Sequence, residues 1–329
     1  MRKIKLAIAS GKGGVGKSMV ASSLAMLFAK NKKIVAVDCD VDAPNLHLWL
    51  GQGEDWNDVK RISVSERPII DKNKCDLCGK CVEICAFDAL KIFTPGALTP
   101  GVEESRVILG RNTPGVVLGT SGVSKKSVAL NNFFCEGCGA CEAVCPQKAI
   151  TMKSIKNAEI RIKKDIHGFP LISAQLFPGE TGSGKIVDKI KEKAEGFGHQ
   201  LMVLDSPAGT GCPVIAALNG VDFVVLVTEP TPSGLSDLKR VLTVVNHFKI
   251  SYGVVINKWD INKSLSGKIE KEFSGRMLGK ISYDKRVFQA VASLKPILET
   301  NLPVKKEIEN IYGNLKKIIL KLDNGKEKT

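Results

Sequence analysis

The chain has 329 residues, 43% hydrophobic and 25% charged, with a formal net charge of +14; that length supports a substantial core and about two domains. No apolar run approaches the ~18 residues of a membrane span, and the N-terminus lacks the apolar core and cleavage site of a signal peptide, so the expected compartment is the cytoplasm. Dispersed lysines with only three Tyr and three Trp argue against a nucleic-acid surface, and ten cysteines in a reducing compartment point to metal ligation rather than disulfides.

The first elements are a strand over Ile4-Lys5-Leu6-Ala7-Ile8-Ala9, the loop Gly11-Lys12-Gly13-Gly14-Val15-Gly16-Lys17-Ser18, and a helix. In that helix Met19, Val20, Leu24, Ala25, Leu27 and Phe28 recur at helical spacing. Strand, glycine loop and helix make a phosphate cradle, because glycines let backbone N–H groups face a polyphosphate at the positive end of the helix. Gly11, Gly13, Gly14, Val15 and Gly16 would form the cradle, Lys17 would reach the β- and γ-phosphates, and Ser18 would place its hydroxyl on Mg²⁺. Lys12 is additional to what that pattern requires. A second apolar strand ends in Asp38-Cys39-Asp40-Val41-Asp42. Ligands of open α/β sheets bind beyond the carboxyl ends of strands. Asp40 is therefore expected to orient an attacking water, with Asp38 and Asp42 near the magnesium shell or capping a turn.

The pattern then changes. Cys75-x2-Cys78-x2-Cys81-x3-Cys85 is followed, 60 residues on, by Cys135-x2-Cys138-x2-Cys141-x3-Cys145, each run with a similar tail (Asp88-Ala89-Leu90, Lys148-Ala149-Ile150). This internal repeat has the spacing of a two-cluster bacterial ferredoxin, in which the fourth cysteine of each run serves the other cluster. The expected [4Fe-4S] sets are Cys75, Cys78, Cys81, Cys145 and Cys135, Cys138, Cys141, Cys85. Zinc sites instead pair two CxxC elements. Ala86 stands where the ferredoxin run has proline, and 49 residues separate Cys85 from Cys135, with a hairpin expected over 103–122. The resulting division is 1–58 and 166–329 for the nucleotide domain, with 59–165 inserted.

Apolar strands resume at 171–177. Gly179-Glu180-Thr181-Gly182-Ser183-Gly184-Lys185 repeats the glycine-lysine spacing, but Ile186 follows where a Ser or Thr would bind magnesium, so this is a loop near the site or the dimer interface rather than a second pocket. Leu201-Met202-Val203-Leu204-Asp205 is a strand ending in a magnesium-binding carboxylate, and the small residues of 206–213 suit a γ-phosphate sensor. Further strands at 223–228 and 252–256 lead to Asn257, placed to contact a base. Alternation of strands and helices implies a doubly wound, mostly parallel α/β sheet. Ile308, Ile311, Leu315, Ile318, Ile319 and Leu322 form a C-terminal amphipathic helix expected to pack on that sheet rather than lie on a membrane. His47, His167, His199 and His247 form no ligand-like cluster.

The motifs GKGGVGKS, VDCDVDAPNL, PGETGSGK, LDSPAGTGCPVIAAL, VTEPTPSGLSDLKRV and INKWD, with the double cysteine run, cover most of the chain. Together they resemble the MinD/ParA class of P-loop ATPases, in its branch with an inserted ferredoxin domain. The resemblance implies an ATP-sandwich homodimer in which Lys12 reaches the partner's ATP, Asp40 positions the water, Ser18 and Asp205 serve Mg²⁺, and Asn257 contacts adenine. The class is similar to the nitrogenase iron protein, where a cluster-ligating cysteine follows the corresponding aspartate by seven residues, as Cys212 follows Asp205; here Cys212 is read as a small loop residue, with ligation of a bridging cluster as the alternative. The leading expectation is an ATPase coupled to electron transfer through two clusters toward a redox or metalloprotein partner. The alternatives are an iron–sulfur scaffold or carrier, and an ATP-dependent positioning protein on DNA or membrane, for which the cysteine insert is superfluous.

Overall fold

The computed structural model describes residues 3–93 and 126–325; the expected hairpin over 103–122 lies outside the described residues. In chain order the strands are β1 (Ile4–Ser10), β2 (Ile34–Asp38), β3 (Asp58–Ile62), β4 (Ser65–Ile70), β5 (Leu90–Phe93), β6 (Ser127–Leu130), β7 (Ile150–Ile155), β8 (Ala158–Ile166), β9 (Phe169–Leu176), β10 (Leu201–Ala208), β11 (Phe223–Thr228), β12 (Ser251–Asn257) and β13 (Met277–Ile281). The helices are α1 (Lys17–Ala29), α2 (Leu46–Trp49), α3 (Lys80–Glu83), α4 (Ala140–Ala143), α5 (Ser183–Glu195), α6 (Cys212–Leu218), α7 (Pro232–His247), α8 (Lys263–Glu272), α9 (Arg286–Ala292) and α10 (Pro303–Asp323).

The chain divides into two compact units, with breaks at Ile62/Ser63, Asn157/Ala158, Phe177/Pro178 and Gly182/Ser183. The larger unit is built on nine strands in the order β13-β12-β11-β1-β10-β2-β9-β8-β3. Neighbours from β13 through β9 run parallel, and β8 and β3 extend the edge in antiparallel fashion. The mostly parallel α/β sheet expected from the sequence is thus what forms. Its central strands are apolar throughout because both faces are covered. Ile4, Leu6 and Ile8 share one core with α1 and α10, while α5, α6 and α7 pack on the other face. α10 buries Val304, Ile308, Ile311, Leu315, Ile319 and Leu322; at roughly 1.5–3 kcal/mol per fully buried side chain, that stripe fixes the helix on the sheet. Among the described residues no helix is long and apolar enough to cross a membrane.

β3 and β8 straddle the boundaries expected at 58/59 and 165/166, and they pair with each other in the main sheet, Asp58 opposite Ile162 and Ile62 opposite Ala158. β3 is an exposed edge strand of mixed polarity, so it carries no alternation for sequence reading to detect.

The smaller unit is a doubled structure. β4 pairs with β7 and β5 with β6, both antiparallel. Each cysteine run turns into a four-residue helix, α3 or α4. Left-handed backbone recurs at the same offset: Leu77 and Gly137, Gly79 and Gly139, Asp88 and Lys148. Cys81, Leu90, Cys141 and Ile150 form its small core.

Candidate functional site

The glycine loop leaves the carboxyl end of β1 and enters α1. Two glycines are required by close approach. A Cβ on Gly11 would overlap the Asp237 carbonyl of α7, and one on Gly16, which has φ 91°, would overlap the Asn257 amide. Asn257 is buried and donates from Nδ2 to the Val15 carbonyl at 2.7 Å, so it supports the loop from below. Lys17 and Ser18 begin α1 and are both buried.

Parallel pairing brings Asp205 of β10 opposite Asp38 of β2 and beside Ile8 of β1. Lys17 Nζ donates to Asp205 Oδ1 at 3.0 Å. Burial pulls the Lys17 ammonium down, but the Asp205 charge and hydrogen bond overcome it and hold its pKa above the ordinary value. Asp205 Oδ2 is buried with no hydrogen-bond partner among the described residues. An orphaned buried carboxylate oxygen is costly, and a cation beside Ser18 and Asp205 would satisfy it, so these residues fit magnesium. Asp40, half-buried just past β2, has its pKa pushed up by burial against the pull of Lys17. A more basic carboxylate is the better acceptor for a water proton. Cys39 is a fully buried thiol, its pKa raised by burial.

Asp38 has a different task. Its carboxylate accepts backbone N–H groups from Asp40 at 3.1 Å and from Asn45 and Leu46 at 2.9 Å, pinning the turn after β2. Burial and the neighbouring Asp205 charge push its pKa up to about 7, against those N–H groups and Lys17. The unfolded value is near ~4, so between these pH values the native state holds the extra proton and stability falls as pH rises. In urea titrations of nucleotide-free protein, the stability of wild type relative to Asp38→Asn should therefore decline from pH 4 to pH 7. A pH-independent difference would contradict this role.

Lys12 Nζ lies 3.0 Å from Glu229 Oε1, and Lys258 Nζ lies 3.2 Å from Glu229 Oε2 and 3.3 Å from the Gly14 carbonyl oxygen. Burial pushes the Glu229 carboxyl up, yet the two lysines hold it below the ordinary value. Glu229 is a site residue that sequence reasoning missed. The signal was present, because Glu229 directly follows β11 and occupies the same strand-end position that singled out Asp40 and Asp205. Cys212 is exposed at the start of α6. Asp42 is exposed.

In the smaller unit, Cys75, Cys78, Cys81 and Cys145 line one cavity with Ile70, Val128 and Ile150. Cys85, Cys135, Cys138 and Cys141 line a second with Pro68, Leu130 and Met152. The fourth cysteine of each run thus faces the cavity of the other. Ala89 N donates to Cys85 Sγ at 3.3 Å, and Ala149 N to Cys145 Sγ at 3.2 Å. Among the described residues no three His, Cys, Asp or Glu side chains converge on a single-ion position. Soft thiolates, apolar walls and N–H···S bonds suit an iron–sulfur cluster.

An uncharacterized protein of Methanocaldococcus jannaschii is 35% identical to the chain over 317 residues, covering 96% of this chain and 98% of that one. An iron-sulfur cluster carrier protein of Pyrococcus horikoshii is 23% identical over 346 residues, covering 99% of this chain and 90% of its own. Among solved structures, the septum site-determining protein MinD of P. horikoshii, complexed with Mg-ADP, matches with a TM-score of 0.55 at 15% identity, over 96% of this chain and 97% of that one. That last likeness is one of fold. The sequence pattern of the CobQ/CobB/MinD/ParA nucleotide binding domain matches residues 6–297, a span that holds the glycine loop, every strand-end carboxylate described above and Asn257, and the chain belongs to that family.

Proposed function

We propose that the protein is a Mg²⁺-dependent ATPase, acting as a homodimer and carrying two [4Fe-4S] clusters, whose nucleotide cycle governs electron transfer to a partner protein in reductive activation or metallocofactor assembly. The observation that carries this reading is the presence, in one chain, of the loop-and-carboxylate site and of two cavities each lined by four thiols. In this reading the backbone of 11–16 and Lys17 hold the phosphates, Ser18 and Asp205 hold magnesium, and Asp40 orients the water. Lys12 leaves Glu229 to reach the ATP of a second copy, and Asn257 keeps the loop shaped under the adenine. Bound clusters supply one-electron chemistry, which the thiols and the N–H donors of Ala89 and Ala149 anchor.

A carrier of iron–sulfur clusters is the second reading, favoured by the similarity to the P. horikoshii iron-sulfur cluster carrier protein. Anaerobic reconstitution separates the two. Electron transfer predicts about eight iron atoms per chain retained in the presence of apo-acceptor, with ATP turnover that differs between oxidised and reduced protein. Quantitative transfer of iron to the acceptor supports the carrier; equal turnover in both redox states, with cluster potentials unmoved by nucleotide, removes the coupling.

A further inference from the structure

The Pro178–Gly182 loop, the front of the second glycine-lysine motif, takes no part in the nucleotide chemistry above, yet it is closely held. It belongs with the cysteine-bearing unit. Arg67 of β4 donates from Nη2 to Glu180 Oε2 at 2.8 Å, with both side chains less than one-fifth exposed, and the same nitrogen lies 3.5 Å from the Asn132 carbonyl. Asn157, fully buried, donates to the Thr181 carbonyl at 2.8 Å and accepts the Val64 N–H at 3.0 Å. Gly179 has φ 77°, and a Cβ there would come within 2.7 Å of the Phe133 ring. Asn132 and Phe133 lead directly into Cys135, which lines the second cavity. Arg67 itself directly precedes Pro68, which lines that same cavity with Cys135, so its guanidinium charge is carried on the strand that walls the cavity.

The other end of the segment enters the larger unit at α5. Gly182 is followed by Ser183, the first residue of α5. A Cβ on Gly184 would stand 3.3 Å from the Cys212 carbonyl oxygen, an approach that only glycine keeps comfortable. Cys212 opens α6, at the end of the small-residue stretch that begins just after Asp205. A path of chain and one close contact therefore runs along the backbone from Asp205 to Cys212, across the approach of Cys212 to Gly184, and back along the backbone through Thr181 to the Glu180–Arg67 pair.

We propose that segment 178–184 transmits the state of the nucleotide site to the second cysteine cavity, with Glu180 as the positioning residue that sets how much of the Arg67 charge that cavity feels. An ion pair this little exposed keeps more of its Coulomb energy than a surface pair. With Glu180 in place the Arg67 charge is compensated beside Cys135. Drawing Glu180 away leaves that charge uncompensated, which favours the more negative, reduced state of a cluster in that cavity. The inference rests on the cluster reading for its output and on nothing but this chain for its input.

Two measurements test it. In cluster-free protein, Mg²⁺ with a non-hydrolysable ATP analogue should change amide hydrogen exchange across 178–184 by about threefold or more. In reconstituted protein, the same analogue should shift the oxidised-to-reduced ratio of the second cluster at fixed potential by about tenfold, ~59 mV for a one-electron couple. Glu180→Gln should raise that cluster's potential and abolish its response to nucleotide, with the KM for ATP unchanged. Arg67→Lys, which keeps the charge, should retain the response. Unchanged exchange in 178–184, or a Glu180→Gln protein whose potential still responds as wild type does, overturns the proposal. If no cluster assembles, the functional reading fails by itself, and the exchange measurement alone decides the transmission.

Discussion

Replacing Asp40 by alanine is expected to leave Mg-ATP binding within about threefold and to lower hydrolysis by about 10²–10⁴-fold, the range for loss of a positioned proton acceptor. The expectation follows from where Asp40 stands. It lies past the end of β2, half-buried, while the turn that carries it is pinned by the Asp38 carboxylate and not by its own side chain. Removing the Asp40 carboxylate therefore removes chemistry and little structure. Lys17→Ala is a poorer probe. Lys17 is the buried partner of a fully buried Asp205, and breaking such a pair costs about 3–5 kcal/mol by leaving one charge uncompensated. Calorimetric titration with ATP beside a phosphate-release assay separates binding from turnover, and ordinary turnover in Asp40→Ala would assign the water to another residue.

The second large effect concerns the thiols. Cys85→Ser is expected to lower bound iron from about eight to about four atoms per chain, and the cluster lost is the one at Cys135, Cys138 and Cys141, although Cys85 belongs to the other run. Double substitutions make this sharp. Adding Cys138→Ser to Cys85→Ser removes nothing more, because both line the second cavity; adding Cys78→Ser removes the remaining iron, because Cys78 lines the first. Iron analysis and electron paramagnetic resonance read the outcome. The opposite pattern, additive with Cys138 and silent with Cys78, would mean that each run keeps its own four cysteines.

Much of this was legible in the sequence, for physical reasons. The glycine loop, β2 with its terminal carboxylates and the strand ending at Asp205 are contiguous, and local order alone places them. The sheet was readable because strands covered on both faces are apolar along their whole length. Less visible were residues whose roles depend on distant neighbours. Asp38 looked interchangeable with Asp42, yet one is fully buried under three N–H donors and the other is exposed. The hydrogen bond by which the Asn257 amide supports the loop at the Val15 carbonyl was not visible either, because it joins residues 242 positions apart. Glu229 bridges two lysines from separate segments, and Arg67 finds Glu180 more than a hundred positions away; neither pairing leaves a periodic trace. β3 escaped notice because an exposed edge strand needs no alternation.

The strand order has a consequence for how the chain is made. β10 lies between β1 and β2, so those two strands have no partner in each other; β2 can pair with β9 once 169–176 is made, but β1 must wait for a segment beginning at Leu201. At ~5–20 residues per second of synthesis, the wait on the ribosome is on the order of 10–30 s, during which the glycine loop has no Asp205 to face. The cysteine-bearing unit emerges within that interval, its last segment ending at Gly182. The nascent chain can therefore complete its thiol-lined cavities before the carboxyl ends of β1, β10 and β2 come together.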